Sequence, residues 1–306
     1  MTRPEHVSRY TTPEAMSRAL TDHLRRQAKQ SGIEHSNLRR QFAYDRLLAR
    51  VFTSEDAGWV LKGGTALLAR VRSARHTRDI DLARRSGTVQ AAVEELREVI
   101  ERDLGDHFRF ELGPTTAHTD RPGQPDTDQA KLPVSAYIGT TLFEGFSMDV
   151  VVGSIMTTTP EAMSPSIVVE FDGLVPPTYL LYPVVDHLAD KLCATFEKYG
   201  DSGTPSSRCR DLVDLVVLAR TQIVDAAMLK TAIEAERLHR GLPRMDAFDV
   251  PSQWERPYSA DAKTVSECEG YRTLDDAVEL IRRFLDPVLS GDQLQGSWSP
   301  SQLSWR

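Results

Sequence analysis

Residues 13–32 and 36–53 place apolar side chains at helical spacing, with Leu38, Phe42, Leu47, Leu48 and Val51 marking the buried face of the second segment and charges between them. Two amphipathic helices are predicted there. The pattern then shortens. Gly58-Trp-Val-Leu-Lys62 is an apolar run stopped by Gly63-Gly64, and Thr65 to Arg70 returns to helix-forming residues, which reads as strand, glycine turn, helix. Asp79-Ile-Asp-Leu-Ala83 is a second short strand candidate, and Val89 to Leu104 a helix facing inward with Val93, Leu96, Val99 and Ile100. β-Branched and aromatic residues then mark strands at 108–112, 134–142, 146–152 and 167–171, with a long loop predicted from Gly113 to Lys131.

From Pro183 the period changes. Residues 185–198, 207–219, 225–238 and 274–289 all read as helices, so the expected class is α/β: a small mixed sheet followed by a helical C-terminal part. A linker is expected from Gly173 to Tyr182, dividing a core of residues 1–175 from a helical domain of residues 176–306. The Ser- and Gln-rich tail from Ser290 to Arg306 reads as a loose extension.

Composition narrows the class without deciding it. A chain of 306 residues, 40% hydrophobic and 26% charged, is that of a globular protein. It shows no apolar run of membrane-spanning length and no signal-peptide core near the N-terminus, so a cytoplasmic protein without membrane contact is expected. Cys193, Cys209 and Cys268 have neither pairing nor zinc spacing and read as reduced, mostly buried thiols. The net charge of −7 is unevenly spread: residues 1–86 carry 17 Lys and Arg against 9 Asp and Glu, a net of +8, which leaves −15 for the rest. Its two clusters include Arg39, Arg40 and Arg46 and then Arg75 and Arg78, a footprint that suits a polyanion and nucleic-acid contact at those five residues. Solvated helix faces would carry the same charges.

The chemistry-bearing pattern is Lys62-Gly-Gly-Thr-Ala66 followed by Asp79-Ile-Asp81. Carboxylates at i and i+2 of a strand project from one face, where both can ligate Mg²⁺. Gly63 and Gly64 leave backbone N–H groups open to phosphate oxygens at a helix start, and Thr65 could add a hydroxyl. Thr77 shares the strand parity of Asp79 and could touch a phosphate, or be an ordinary strand threonine. A third carboxylate is expected from Asp149, because Phe146, Met148, Val150 and Val152 take the apolar face of their strand. Such a set suits metal-assisted displacement at phosphorus.

These residues resemble the nucleotidyltransferase superfamily of polymerase-β-like fold. More narrowly, LKGGTAL, HTRDIDLA, Asp190-Lys191-Leu192 and Arg208-Cys-Arg-Asp211-Leu-Val-Asp214, in that order, are similar to the AbiEii/AbiGii toxin family, which includes the MenT toxins. The resemblance implies that Asp79 and Asp81 hold Mg²⁺, that Lys191 contacts a nucleoside triphosphate, and that Asp211 completes the site. It further implies a toxin that adds nucleotides to the 3′ end of tRNA, with a cognate antitoxin as partner. Read from the residues alone, Asp211 and Asp214 could instead cap their helix and pair with Arg208 and Arg210. Transfer to a protein or small-molecule hydroxyl, and triphosphate binding without turnover, are the other readings left open.

Overall fold

The structure is a computed structural model that describes residues 8–53, 58–118, 128–167, 169–171, 174, 177–199 and 203–306. Pro13–Ser31 (α1) and His35–Val51 (α2) form as the periodicity requires; Thr12 caps α1 through its side chain, and Gly32 ends it. The sheet begins with Trp59–Lys62 (β1), which runs directly into Gly63–Arg70 (α3) and returns as Asp79–Arg84 (β2). Val89–Ile100 (α4), capped by Thr88, leads to Phe108–Leu112 (β3) and Thr116–His118 (β4). Asp128–Ile138 (β5) and Thr141–Val152 (β6) then form a long hairpin.

Where one strand was expected over 134–142, the chain turns at Gly139 and Thr140, so those residues belong to two strands. The loop expected over 113–131 contains β4 and the first part of β5; its residues 119–127 lie outside the described set. The strand expected over 167–171 is not formed by the residues described there, although Ile167, Val169 and Phe171 are buried. They pack as irregular chain, with Phe171 stacked on Tyr10.

Glu161–Met163 (β7) and Tyr179–Leu181 (β8) complete an eight-stranded mixed sheet of order β3-β5-β6-β2-β1-β8-β7, with β4 on β5. β8 lies within the expected linker. It pairs in parallel with β1, Leu61 opposite Leu181, and a backbone bond from Tyr182 N to Leu61 O continues the contact. Pro183 then caps Val184–Phe196 (α5), so the helix that carries Lys191 starts from the sheet itself.

A short hairpin, Lys198–Tyr199 (β9) with Thr204–Pro205 (β10), precedes Cys209–Thr221 (α6). Val224–Asp225 (β11), Ala226–His239 (α7), Glu255–Ala262 (α8) and Leu274–Ser290 (α9) complete the helical half. The tail is not loose. Ser297–Ser299 (β12) pairs with β11 and with Ser304–Trp305 (β13). Trp298 is fully buried and donates its indole N–H to Ala219 O at 2.6 Å, while Trp305 stacks on Phe284. Two large indoles with satisfied N–H groups outweigh the polar composition around them.

Candidate active site

The central strands bring the acids together through register. β2 and β6 run in parallel with Asp81 opposite Asp149, and β1 and β5 flank them with Lys62 opposite Asp81 and Lys131 opposite Asp149. The result is a row, Lys62–Asp81–Asp149–Lys131, across four strands, with Asp79 one pleat away on the same face. Ile80, Leu82, Met148 and Val150 take the other face and are buried. Alternation at period two therefore forces the carboxylates outward, into a cleft of about 1070 Å³ between the sheet and the helical half. Burial, then Asp79 and Asp149, push the Asp81 carboxyl up to about 6 despite Lys191 and Lys62 nearby.

Gly63 and Gly64 form the first turn of α3 at the cleft wall. Gly63 has φ +58°, and a Cβ there would lie 1.9 Å from Asp81 Oδ2. Glycine is required twice at this position, by backbone conformation and by the carboxylate packed against it. Both threonines bond Asp79. Thr65 is buried and donates to Asp79 O at 2.8 Å, and the Thr77 hydroxyl bonds Asp79 Oδ1. Both hydroxyls fix the strand that presents the acids.

Across the cleft, α5 presents Lys191 and α6 presents Asp211 and Asp214. Lys191 Nζ lies 3.0 Å from Asp211 Oδ1 and 2.6 Å from Asp214 Oδ2. Burial alone would lower the Lys191 pKa, but Asp211 and Asp214 raise it, and the ammonium form is held. Asp214 is fully buried, yet Lys191 and Arg75 keep it below the usual carboxylate range against that burial. Arg208 pairs with Asp211 Oδ2 at 2.6 Å. Of the ion pairs expected for the acids on α6, Arg208 with Asp211 forms, whereas Arg210 lies against Asp261 and Asp214 is held by Lys191 and Arg75.

Part of the basic clusters is taken up inside the protein. Arg46, expected to face nucleic acid, is 4% exposed and lies 3.8 Å from Asp106, while Arg50 holds Asp106 with two hydrogen bonds. Burial of an unpaired guanidinium is prohibitive, so these arginines are core ion pairs. Arg75 forks onto Asp214 with both bonds at 2.9 Å, inside the cleft wall. Arg39 and Arg40 share Glu144 and are partly exposed; Arg78 is exposed beside the acid row.

Lys62 and Asp190 lie in a further cleft network, whose members Arg240, Glu236 and Glu197 went unnoticed in the sequence. Lys62 bonds Ser154 Oγ at 3.1 Å and lies 3.8 Å from Asp190, which Arg240 grips at 2.7 Å. Buried Arg240 also reaches Glu236 and Glu197, tying α5 to α7. The available signal was Asp190 next to Lys191, one helical position round, in an otherwise apolar segment.

A family profile described as nucleotidyl transferase AbiEii toxin, type IV TA system, matches residues 46–283. The chain belongs to this family. Among solved structures, MenT4, a nucleotidyltransferase toxin from Mycobacterium tuberculosis, is 17% identical with a TM-score of 0.50, over 94% of this chain and 100% of that one. JHP933 from Helicobacter pylori is 14% identical with a TM-score of 0.46, over 85% of this chain and 94% of that one. No curated protein sequence matches. The AbiEii match spans the acid row, the glycine turn and both helices of the opposite wall. The protein is thus a nucleotidyltransferase toxin of a toxin–antitoxin system by family and an α/β protein with a mixed sheet by structure. No described helix is long and apolar enough to cross a membrane.

Proposed function

We propose that this AbiEii-family toxin transfers a nucleotide from a nucleoside triphosphate to the 3′ hydroxyl of tRNA. The observation that carries the reading is the row of Asp79, Asp81 and Asp149 beside a glycine-opened helix start, facing Lys191 across one cleft. The α3 N–H groups and Lys191 grip phosphate oxygens, and the acceptor hydroxyl attacks the α-phosphorus. The α–β phosphoanhydride bond breaks, pyrophosphate leaves, and Asp149 is placed to take the hydroxyl's proton.

Among the described residues, no group of three or more His, Cys, Asp or Glu side chains is arranged to hold a metal ion. Mg²⁺ fits what is there nonetheless, because it is commonly held by one or two carboxylates together with substrate phosphates. Asp81, raised to about 6 by burial, Asp79 and Asp149, is a charge that a cation would relieve. Asp79 and Asp81, with Asp149 beside them, are the residues that would hold it. When bound, the ion supplies charge neutralisation at the phosphates.

The proposed RNA acceptor rests on the basic residues that remain exposed, among them Arg25, Arg26, Lys29, Arg72, Arg78 and Arg85. Arg78, which immediately precedes Asp79 in the chain, is one of these exposed cations. The test incubates purified protein with total RNA, Mg²⁺ and each triphosphate in turn, radiolabelled at the α-phosphate. Label in tRNA-sized RNA, sensitive to a chelator, is expected. Label in a protein band, or none in RNA with any triphosphate, overturns the tRNA assignment.

A further inference from the structure

The wall opposite the acids carries five charges in alternation: Arg75, Asp214, Lys191, Asp211, Arg208. Neighbours along the chain lie 2.9, 2.6, 3.0 and 2.6 Å apart. Lys191 between its two aspartates alone would form a unit of net charge −1, which repels a triphosphate. The flanking arginines reverse that sign, giving +1 for the five together. Arg75 is the more enclosed of the two, 18% exposed at its side chain against 40% for Arg208.

Arg75 comes from the segment between α3 and β2, and its partner lies 139 residues away on α6. Its Nη2 lies 3.4 Å from where a Cβ on Gly64 would sit, so the guanidinium packs against the glycine turn while it forks onto Asp214. One side chain therefore joins the phosphate-facing turn to the helix that anchors Lys191. A planar fork holds both oxygens of a carboxylate at once, which a point charge cannot do.

We propose that Arg75 is a positioning residue for the triphosphate site. By forking onto Asp214, whose Oδ2 also bonds Lys191, it offsets that carboxylate's charge and fixes the ammonium at the cleft wall. This rests on the reading of the cleft as a triphosphate site, and it replaces nucleic-acid contact as the role of Arg75.

The test measures the equilibrium affinity of a nucleoside triphosphate analogue with a methylene α–β bridge, which cannot be transferred, so that binding is read without turnover. The proteins are wild type, Arg75→Gln, Arg75→Lys, Asp214→Asn and the double variant Arg75→Gln with Asp214→Asn, each checked for folding by circular dichroism. Arg75→Gln is expected to raise Kd by about ten-fold or more, and Arg75→Lys, which restores the charge, to recover at least about half of the loss on a logarithmic scale. In the Asp214→Asn background the same Arg75→Gln change should shift Kd by less than about three-fold, because Arg75 acts through Asp214. An equal fold-change in both backgrounds would mean direct phosphate contact and overturn the proposal. So would wild-type affinity in folded Arg75→Gln, or no recovery with Arg75→Lys; these single variants decide the matter if Asp214→Asn does not fold. A wild type that binds no analogue would refute the triphosphate reading itself, and the wild-type arm shows that separately.

Discussion

Gly63 is the residue at which backbone and chemistry meet most closely. Its φ of +58° and the 1.9 Å approach of Asp81 Oδ2 to a would-be Cβ leave no room for alanine. Gly63→Ala should therefore displace Asp81 and cost transfer activity about 100-fold or more, with a loss of about 1–2 kcal/mol from the left-handed backbone alone. Steady-state transfer and thermal melting check this; wild-type activity would show that Asp81 need not sit where it does. A second residue, outside the cleft lining, sets a pH dependence. Asp45 is buried on α2, accepts from Gln41 and Tyr179 at one oxygen, and is raised from 3.8 to about 7, by burial in the first place. The folded state thus binds the proton more tightly than the unfolded chain, so this residue's contribution to stability is full below about 4 and is lost as pH rises to about 7. Asp45→Asn keeps an acceptor for both donors and carries no charge. The melting-temperature difference, variant minus wild type, should grow in the variant's favour across that window; a constant difference would contradict the assignment.

Among the elements, the C-terminal β12–β13 hairpin departs furthest from what composition suggests. Trp298 bridges 79 residues to Ala219 at the end of α6, the helix that carries Asp211 and Asp214. Trp298→Ala should cost about 3–5 kcal/mol, and chemical denaturation measures it directly. A loss below about 1 kcal/mol would return the tail to a passive extension. The same contrast explains what the sequence showed and what it hid. The D-x-D strand, the glycine turn and the outward parity of Asp149 are local patterns, visible within ten residues. β8 is three residues long, too short for any period, and only pairing with β1 makes it a strand. Arg46 and Arg50 look like a solvated helix face because their partner Asp106 lies 56 residues beyond Arg50. Arg75 looked free for the same reason.

For the whole molecule, the pairing of these arginines redraws the basic surface. The excess of positive charge in residues 1–86 is partly internal, which moves the proposed RNA contact to exposed positions such as Arg72, Arg78 and Arg85, while Arg39 and Arg40 remain shared with Glu144. Replacing Arg72, Arg78 and Arg85 together by alanine should weaken RNA binding and flatten its log–log salt dependence by about 0.7 per lost contact to single-stranded phosphate. Triphosphate affinity should stay unchanged, because Arg75, Lys191 and the glycine turn are untouched. An unaltered salt slope would place the RNA elsewhere.

The position of the label tests nucleotidyl transfer by the acid row most directly. A triphosphate labelled at the α-phosphate, compared with one labelled at the γ-phosphate, should mark the acceptor only in the first case, with pyrophosphate released in equal amount. Folded Asp79→Ala and Asp81→Ala should mark nothing. Acceptor labelling from the γ-phosphate, or undiminished α-labelling by Asp81→Ala, would contradict the account.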